Sequence, residues 1–230
     1  MYIFNQHKKE LNESGFSIIE NFFPESELAK ISNLIAVSNF DFSERQLLNR
    51  FPKLQEIIFK NKVFKELLNT ICDKNYFLSK AIYFNKPSKS NWFVSYHQDL
   101  SISVKNKIAQ DGYRSWTNKK GQLGVIPPLN ILENIVTLRI HLDKTDETNG
   151  ALKVISKSHK TGVIRVDENF DASKEGEEVI CTVNKGGIML MKPLLLHSSQ
   201  KSISENDRRI IHLEFCSEEI PMEWLEKKVI

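Results

Sequence analysis

The sequence predicts a mainly β fold, a β-sandwich or jelly roll with helices packed against one sheet. Three observations lead to this fold class. Apolar residues recur at helical spacing over about the first 75 positions, an alternation of period two begins near residue 78, and turn signals separate the alternating segments. The chain has 230 residues, 40% hydrophobic and 27% charged, which suits one sizeable core. We therefore expect a single domain over 1–230, with a helical part over about 1–75 and a β core over about 76–218.

The helical part begins with a run that Pro24 opens. Glu25 and Glu27 lie in its first turn, where acidic side chains favour a helix start. Two further amphipathic segments follow, over 54–58 and 63–71, with a break near Asn61. These segments predict helices whose apolar stripes face the core.

The strands of the β core are clearest over 136–143 and 208–215. In the first, every even-numbered residue is aliphatic and every odd-numbered one is polar, so one face is expected to be wet or functional. In the second, Arg208, His212 and Glu214 share one face, whereas Arg209 falls on the aliphatic face. A further strand is expected over 78–85, with Lys80 facing inward. Turn signals punctuate the core at 85–87, 148–150, 169–176 and 184–187.

A segment over about 100–130 interrupts the strands and is rich in glycine and proline. Segments of this length inside a compact domain usually serve function. We expect a lid-like insertion that covers a bound substrate, with the rings of Tyr113 and Trp116 as its apolar surface.

Composition excludes several classes of function. Lys and Arg number 32 and Asp and Glu 29, a net charge of +3, and the two signs are mixed along the chain. A protein that binds nucleic acid electrostatically needs a dense basic face, so no nucleic-acid partner is expected. The apolar stretch at 187–196 is interrupted by Lys192 and Pro193, which argues against a membrane partner. The three cysteines are widely spaced, and we expect them reduced in a soluble, cytoplasmic protein; the oligomeric state stays open.

The candidate chemistry begins with His97 and Asp99, which directly follow an aromatic segment. Two residues apart on a strand, both side chains point to the same side. With a second imidazole from a distant strand they would form the two-histidine, one-carboxylate set that leaves coordination positions of Fe(II) open. His197, after an apolar strand, is placed to supply it. Chance alone produces many His-x-Asp tripeptides, so this pattern gains weight only from its surroundings. Eleven residues after His197, Arg208 could bind a carboxylate in a bidentate manner.

Four blocks carry a resemblance to a known family. They are GFSIIENFF at 15–23, YHQDL at 96–100, LDKTDETNGAL at 142–152 leading into SHK at 158–160, and HSS at 197–199 followed by Arg208. Together, over residues 14–215, the chain resembles the phytanoyl-CoA dioxygenase family of Fe(II)- and 2-oxoglutarate-dependent oxygenases.

The resemblance implies a double-stranded β-helix of the jelly-roll or cupin type and a set of site residues. His97, Asp99 and His197 would bind iron, Arg208 the distal carboxylate of 2-oxoglutarate, and Gln98 would lie close to that co-substrate. The implied cofactors are Fe(II), 2-oxoglutarate and O2. Arg209 is the rival of Arg208, and the strand parity favours Arg208.

One position departs from the family pattern, because Arg139 stands where better-known relatives have tryptophan. Thr137 and His141 share its strand face. We predict that Thr137 and Arg139 contact the cofactor, and that Lys80, His141, His212, Tyr113 and Trp116 contact the substrate. Arg139 could instead pair with Asp143 or Glu214 as a structural salt bridge, or contact the substrate. A cationic pocket argues against a fatty acyl substrate.

The predicted function is hydroxylation of an unactivated C–H bond of a small, polar or anionic metabolite, with succinate and CO2 as co-products. The retained Asp99 favours hydroxylation, because halogenating relatives resemble one another in lacking this carboxylate. Two alternatives remain. One is a non-catalytic β-helix protein that only binds a ligand. The other is an oxygenase of the same family whose outcome is desaturation, cyclisation or epimerisation.

Overall fold

The computed structural model describes residues 4–36, 42–72, 75–88, 92–119 and 121–230. Helices pack on the outer face of the larger of two main antiparallel sheets, which confirms the mainly β fold class. The helices are α1 (Asn5–Ser14), α2 (Glu25–Ala36), α3 (Leu47–Arg50), α4 (Pro52–Lys60), α5 (Lys62–Ile71) and α6 (Leu129–Glu133). The strands are β1 (Phe16–Ile19), β2 (Ser43–Arg45), β3 (Phe77–Lys86), β4 (Val94–His97), β5 (Ile102–Val104), β6 (Arg114–Lys119), β7 (Gln122–Ile126), β8 (Val136–His141), β9 (Leu152–Ile155), β10 (Glu178–Cys181), β11 (Ile188–Met191), β12 (His197–Ser199), β13 (Arg208–Cys216) and β14 (Lys228–Val229).

The break near Asn61 is confirmed and has a simple cause. The side chain of Asn61 accepts a hydrogen bond from the backbone N–H of Phe64 at 3.0 Å, which caps the start of α5. Its amide also donates to Glu27 of α2 at 2.8 Å, so the cap ties two helices together. The apolar stripes of α2, α4 and α5 are buried against the outer face of the larger sheet. No helix within the described residues has both the length and the apolar composition needed to cross a bilayer.

The larger sheet has the strand order β1-β11-β8-β13-β3-β14, with β2 paired to β3. This order corrects the expectation of a helical segment over about 1–75, because β1 and β2 lie inside that segment and join the sheet. The sheet also extends past residue 218, since β14 pairs with the start of β3. The amino- and carboxyl-terminal segments therefore contribute to both edges of the sheet.

Strand β8 shows how the alternation of the sequence is used. Val136, Leu138 and Ile140 pack in the core between the sheet and the helices. The odd-numbered residues of β8 are buried as well, so this face is not wet; it lines the interior between the two sheets. Both faces of β8 are buried, and its odd-numbered residues are all polar. The strand therefore places polar groups inside the protein, and such buried polar groups indicate a functional site.

The smaller sheet has the order β10-β9-β12-β4. Its inner residues Leu152, Val154 and Cys181 pack against Met189 and Met191 of β11 in an apolar cluster between the two sheets. Contact between the sheets through this cluster leaves the polar residues of β3, β8 and β13 facing β4 and β12.

The segment 100–130 is not an open loop. It contains a small sheet of β5, β7 and β6, which packs on a separate apolar cluster with Leu132, Trp224 and Met222. Its role as a lid stays a prediction, and the positions of its two aromatic rings are described below.

Candidate metal centre and cavity

His97 and His197 lie directly opposite each other on paired strands β4 and β12. Their ring centroids are 4.3 Å apart. Asp99 follows two residues after His97, where its backbone N–H donates to the carbonyl of Pro193 at 2.9 Å. One ligand atom from each of the three side chains lies within 4.8 Å of the others, and Nε2 of His197 is 3.9 Å from Oδ2 of Asp99. The structure thus brings together the three side chains that the sequence assigned to iron.

The backbone fixes which nitrogen of each imidazole is available. Nδ1 of His97 lies 2.9 Å from the carbonyl of Ser95, and Nδ1 of His197 lies 2.8 Å from that of Leu195. A carbonyl only accepts, so each Nδ1 carries a proton and Nε2 is the nitrogen of each ring that is left for a metal. Burial lowers the pKa of His197 to about 4, so its ring stays neutral at pH 7. This donor set, two imidazoles and a carboxylate, fits Fe(II) with open coordination positions.

Asp99 is held in its charged form. Burial by itself would raise the pKa of Asp99, but the neighbouring histidines and Lys80 outweigh burial and keep this pKa below its ordinary value. His197 acts most strongly of these, because its ring is charged in the acid range where a carboxylate titrates. Asp99 is therefore an anionic ligand at physiological pH.

A cavity of about 530 Å³ opens beside these three residues. This volume lies in the range of small-ligand sites. Its apolar wall includes Ile82, Phe84, Trp92 and Val94. Its charged and polar lining includes Arg45, Lys80, Lys119, Arg139, Arg208, His212 and Glu214.

Arg208 lies in this cavity lining and is 5% exposed. Its Nε and Nη1 atoms are buried and have no hydrogen-bond partner in the described part of the chain. Burial and the positive charge of Arg139 lower the pKa of Arg208 to about 9. Arg209, the rival candidate, points to the outer face and binds Asp143 through two nitrogens, at 2.8 and 2.7 Å. The alternation of side chains along β13 thus turns Arg208 inward, where two of its nitrogens have no partner among the described residues, and turns Arg209 outward, where it binds Asp143.

Lys86 is a second buried cation that the sequence analysis missed. It lies opposite Arg208 in the pairing of β3 with β13 and is 1% exposed. Its ammonium donates to Oγ of Ser199 at 3.0 Å and to the carbonyl of Gln200. Burial and the charge of Arg208 lower the pKa of Lys86 to about 8. Lys86 lies an even number of residues after Lys80, so the two side chains share one face of β3. Following this inward face to the end of the strand would have identified Lys86.

Arg139 also faces the cavity and is 6% exposed. Its Nη1 lies 3.3 Å from Nδ1 of His212, whose Nε2 lies 3.1 Å from Oε1 of Glu214. Lys80 binds the same carboxylate at 2.8 Å. Arg139 therefore does not form the salt bridge with Glu214 or Asp143 that the sequence left open. Lys80 and His212 line the cavity as expected, and both are engaged with Glu214.

Thr137 and His141 flank Arg139 on β8, but neither lines the cavity. Thr137 is fully buried, and its hydroxyl has no partner among the described residues. Nδ1 of His141 lies 2.7 Å from the hydroxyl of Thr145, and burial lowers the pKa of His141 well below its ordinary value. Both residues lie behind the lining, and their predicted contacts with cofactor and substrate stay predictions.

The side-chain amide of Gln98 makes three hydrogen bonds to backbone groups. Its amide nitrogen donates to the carbonyls of Gly162 and Leu194 at 2.8 and 2.6 Å, and its oxygen accepts from the N–H of Ile164 at 2.8 Å. Gln98 is also among the residues that line the cavity, and its predicted position close to the co-substrate stays a prediction. The polar atoms of Gln98 thus bind neighbouring backbone segments.

Tyr113 and Trp116 do not line the cavity. They lie against the apolar cluster of Leu132 and Trp224 beneath the small sheet. In this structure the two rings are partly buried against the cluster that anchors the small sheet, and their predicted contact with the substrate stays a prediction. Leu100, Ser101 and Lys119 are the residues of this segment that reach the cavity.

A family model described as Phytanoyl-CoA dioxygenase (PhyH) matches residues 11–210 of the chain. No curated protein sequence matches the chain significantly.

Solved structures resemble the chain in fold. EctD from S. alaskensis, solved with 2-oxoglutarate and 5-hydroxyectoine, has a TM-score of 0.69 at 16% identity, covering 92% of this chain and 75% of its own. SnoK, a non-heme alpha-ketoglutarate-dependent carbocyclase from nogalamycin biosynthesis, has a TM-score of 0.65 at 12% identity, covering 95% of this chain and 83% of its own. EvdMO1 has a TM-score of 0.66 at 17% identity over 92% of this chain, which spans only 49% of EvdMO1.

Proposed function

Because the chain belongs to the phytanoyl-CoA dioxygenase family of Fe(II)- and 2-oxoglutarate-dependent oxygenases, we propose that it hydroxylates an unactivated C–H bond of a small, polar or anionic metabolite. Succinate and CO2 are the co-products. The observation that supports this proposal most directly is the convergence of His97, Asp99 and His197 beside a cavity whose lining includes the unpaired Arg208.

His97, Asp99 and His197 would hold the metal. When bound, Fe(II) with 2-oxoglutarate and O2 supplies the oxidising chemistry, and the protein supplies position and environment. The hydrogen bonds from Nδ1 of each imidazole to the backbone fix the ring orientations, so that both Nε2 atoms point to one place without reorganisation.

Arg208 would bind the distal carboxylate of 2-oxoglutarate. Two of its nitrogens are buried and lack a partner among the described residues, so a bidentate carboxylate would satisfy both of them. Lys86 adds a second positive charge beside it. A charge buried without compensation is costly, so this pair of cations favours an anionic occupant.

The apolar wall of Ile82, Phe84 and Trp92 gives a substrate a surface that excludes water from its reacting carbon. The remaining lining is mainly cationic, which favours polar or anionic substrates over a fatty acyl chain. This balance supports the substrate class proposed here.

The test is a screen of metabolites that reads succinate formation in the presence of Fe(II), 2-oxoglutarate and O2. We expect a subset of small polar or anionic compounds to stimulate succinate formation, and we expect Asp99→Ala to abolish the stimulation. Mass spectrometry of the product separates the possible outcomes. Gain of one oxygen atom supports hydroxylation, whereas loss of two hydrogen atoms indicates desaturation or ring closure. Tight binding of metal and 2-oxoglutarate without stimulation by any compound would favour a non-catalytic binding protein.

A further inference from the structure

Arg139 is a buried guanidinium that forms no salt bridge with a carboxylate of the described residues, although the charge of Asp99 acts on it from a distance. It lies in the middle of β8, opposite His212 of β13 and Met189 of β11. Its Nε is buried and has no hydrogen-bond partner in the described ranges. Since Arg139 also lines the cavity, its free hydrogen-bonding capacity is available to a ligand there.

A chain of polar contacts holds Arg139 in place. Glu214 accepts from Nε2 of His212, so Nδ1 of this ring keeps its lone pair and accepts from Arg139. Lys80 binds both oxygens of Glu214 at 2.8 Å and also donates to the carbonyl of Ser101 at 2.8 Å. Lys80 therefore balances the charge of Glu214. The hydrogen bond to His212 orients Arg139 but does not supply it with a counter-ion.

The carboxylates that line the cavity can be assigned one by one to partners other than Arg139. Among the described lining residues the carboxylates are Asp99 and Glu214. Asp99 would be a ligand of the metal, and Glu214 is paired with Lys80. Of the two carboxylates of 2-oxoglutarate, one would face the metal and the other Arg208. Arg139 then remains a buried positive charge whose contacts are the ring of His212 and the face of the Phe84 ring, whose centroid lies 5.7 Å from its guanidinium carbon. It forms no salt bridge with a carboxylate of the described residues, an arrangement that favours one further anion.

Building on the function proposed above, we propose that Arg139 anchors a carboxylate group of the substrate. The substrate enters with its charged end inward and its apolar part against Ile82, Phe84 and Trp92. Arg45 and Lys119, which also line the cavity, add positive charge that draws an anion in. The substrate is thus a small carboxylic acid. His212 is a positioning residue that acts through Arg139.

The test measures binding with the protein loaded with Mn(II) and 2-oxoglutarate under nitrogen. The probes are benzoate and its neutral counterpart benzamide, followed by the broadening of their proton NMR signals by Mn(II). We expect broadening for benzoate and little for benzamide. In Arg139→Met, which keeps the side-chain volume, benzoate should bind roughly tenfold or more weakly. Arg139→Lys should retain part of the binding, because it keeps the charge and loses the bidentate geometry.

The affinity for 2-oxoglutarate is measured separately in every variant. This measurement shows whether Arg139 binds the substrate carboxylate or a carboxylate of 2-oxoglutarate. We expect it to change by less than about threefold in Arg139→Met, well under the tenfold that 1.4 kcal/mol represents. His212→Phe should weaken benzoate binding, and His212→Asn, whose amide oxygen can accept from Arg139, should restore part of it.

Three results would overturn the inference. Benzoate binding that is equal in the wild-type protein and Arg139→Met would remove the anchor, as would wild-type protein that binds neither probe. Loss of 2-oxoglutarate binding in Arg139→Met would assign Arg139 to the co-substrate. Absence of 2-oxoglutarate binding in the wild-type protein would instead contradict the proposed function itself.

Discussion

Replacing Arg208 with glutamine is expected to weaken 2-oxoglutarate binding while leaving the unliganded fold intact. Removing one partner of a buried, hydrogen-bonded charge pair costs about 2–5 kcal/mol, which corresponds to roughly 30-fold to a few thousand-fold in Kd. Lys86 is a second cation beside Arg208 and remains in the variant, so we expect the lower end, about 30- to 100-fold. Because the guanidinium has no internal counter-ion among the described residues, Arg208→Gln should not lower the free energy of unfolding without ligand.

Arg209→Gln is the matched control, since it removes the neighbouring arginine whose partner is Asp143 on the outer face. It should lose stability and keep its affinity for 2-oxoglutarate. The assay is an anaerobic titration of the Fe(II) protein with 2-oxoglutarate, followed by the absorption band that forms when the co-substrate binds the iron, with thermal unfolding in parallel. The reasoning is refuted if Arg208→Gln binds 2-oxoglutarate as tightly as the wild-type protein, or if Arg209→Gln shows the larger loss of affinity.

Three further changes test other parts of the structure. A Cβ at Gly150, where φ is +82°, would lie 2.7 Å from Nζ of Lys86, so Gly150→Ala should destabilise the protein by about 1–3 kcal/mol and weaken 2-oxoglutarate binding; unchanged thermal unfolding would contradict this. Burial raises the pKa of Glu226 from 4.5 to about 7, so stability should fall by about 3 kcal/mol as pH rises from the lower to the higher value. Glu226→Gln should therefore unfold at a higher temperature than the wild-type protein at pH 8, and the difference in unfolding temperature should be smaller at pH 5. Equal differences at the two pH values would contradict a raised pKa of Glu226. Gln98→Leu leaves backbone groups around 162–164 unsatisfied and should lower the free energy of unfolding, measured by chemical denaturation, by about 2–4 kcal/mol. A variant that stays stable but loses 2-oxoglutarate binding would instead support contact of Gln98 with the co-substrate.

Much of the fold follows from local pattern. The alternation of β8 and β13 could be interpreted directly, because a strand with two unlike faces repeats every second residue. The same parity separated Arg208 from Arg209 correctly. The sequence could not show that both faces of β8 are buried, since this depends on the smaller sheet lying against the inner face.

Other features depend on contacts between distant segments. The strand β1 lies in a part of the chain that reads as helical, and it forms because β11 offers a free edge. Lys86 becomes functionally placed only because Gly150 and Ser199 leave room and acceptors for its ammonium. No local pattern carries that information.

The site residues divide in the same way. His97 and Asp99 are placed together by strand geometry, and the structure brings His197 to them. Gln98 was assigned by family resemblance, and its actual partners are backbone groups more than sixty positions away. Tyr113 and Trp116 were chosen as apolar rings on a long segment rich in glycine. In the structure they are partly buried against the cluster under a small sheet that the sequence did not reveal.

The central claim is that His97, Asp99 and His197 bind one divalent metal ion. Its most direct test is the stoichiometry and affinity of Mn(II) binding, measured by electron paramagnetic resonance under nitrogen in the wild-type protein and in Asp99→Ala and His197→Ala. His159→Ala serves as the control, because His159 lies against Asn12 outside the cavity. We predict one ion per chain in the wild-type protein and in His159→Ala, and affinity at least tenfold lower in the other two variants. Wild-type affinity in Asp99→Ala and His197→Ala would contradict the claim.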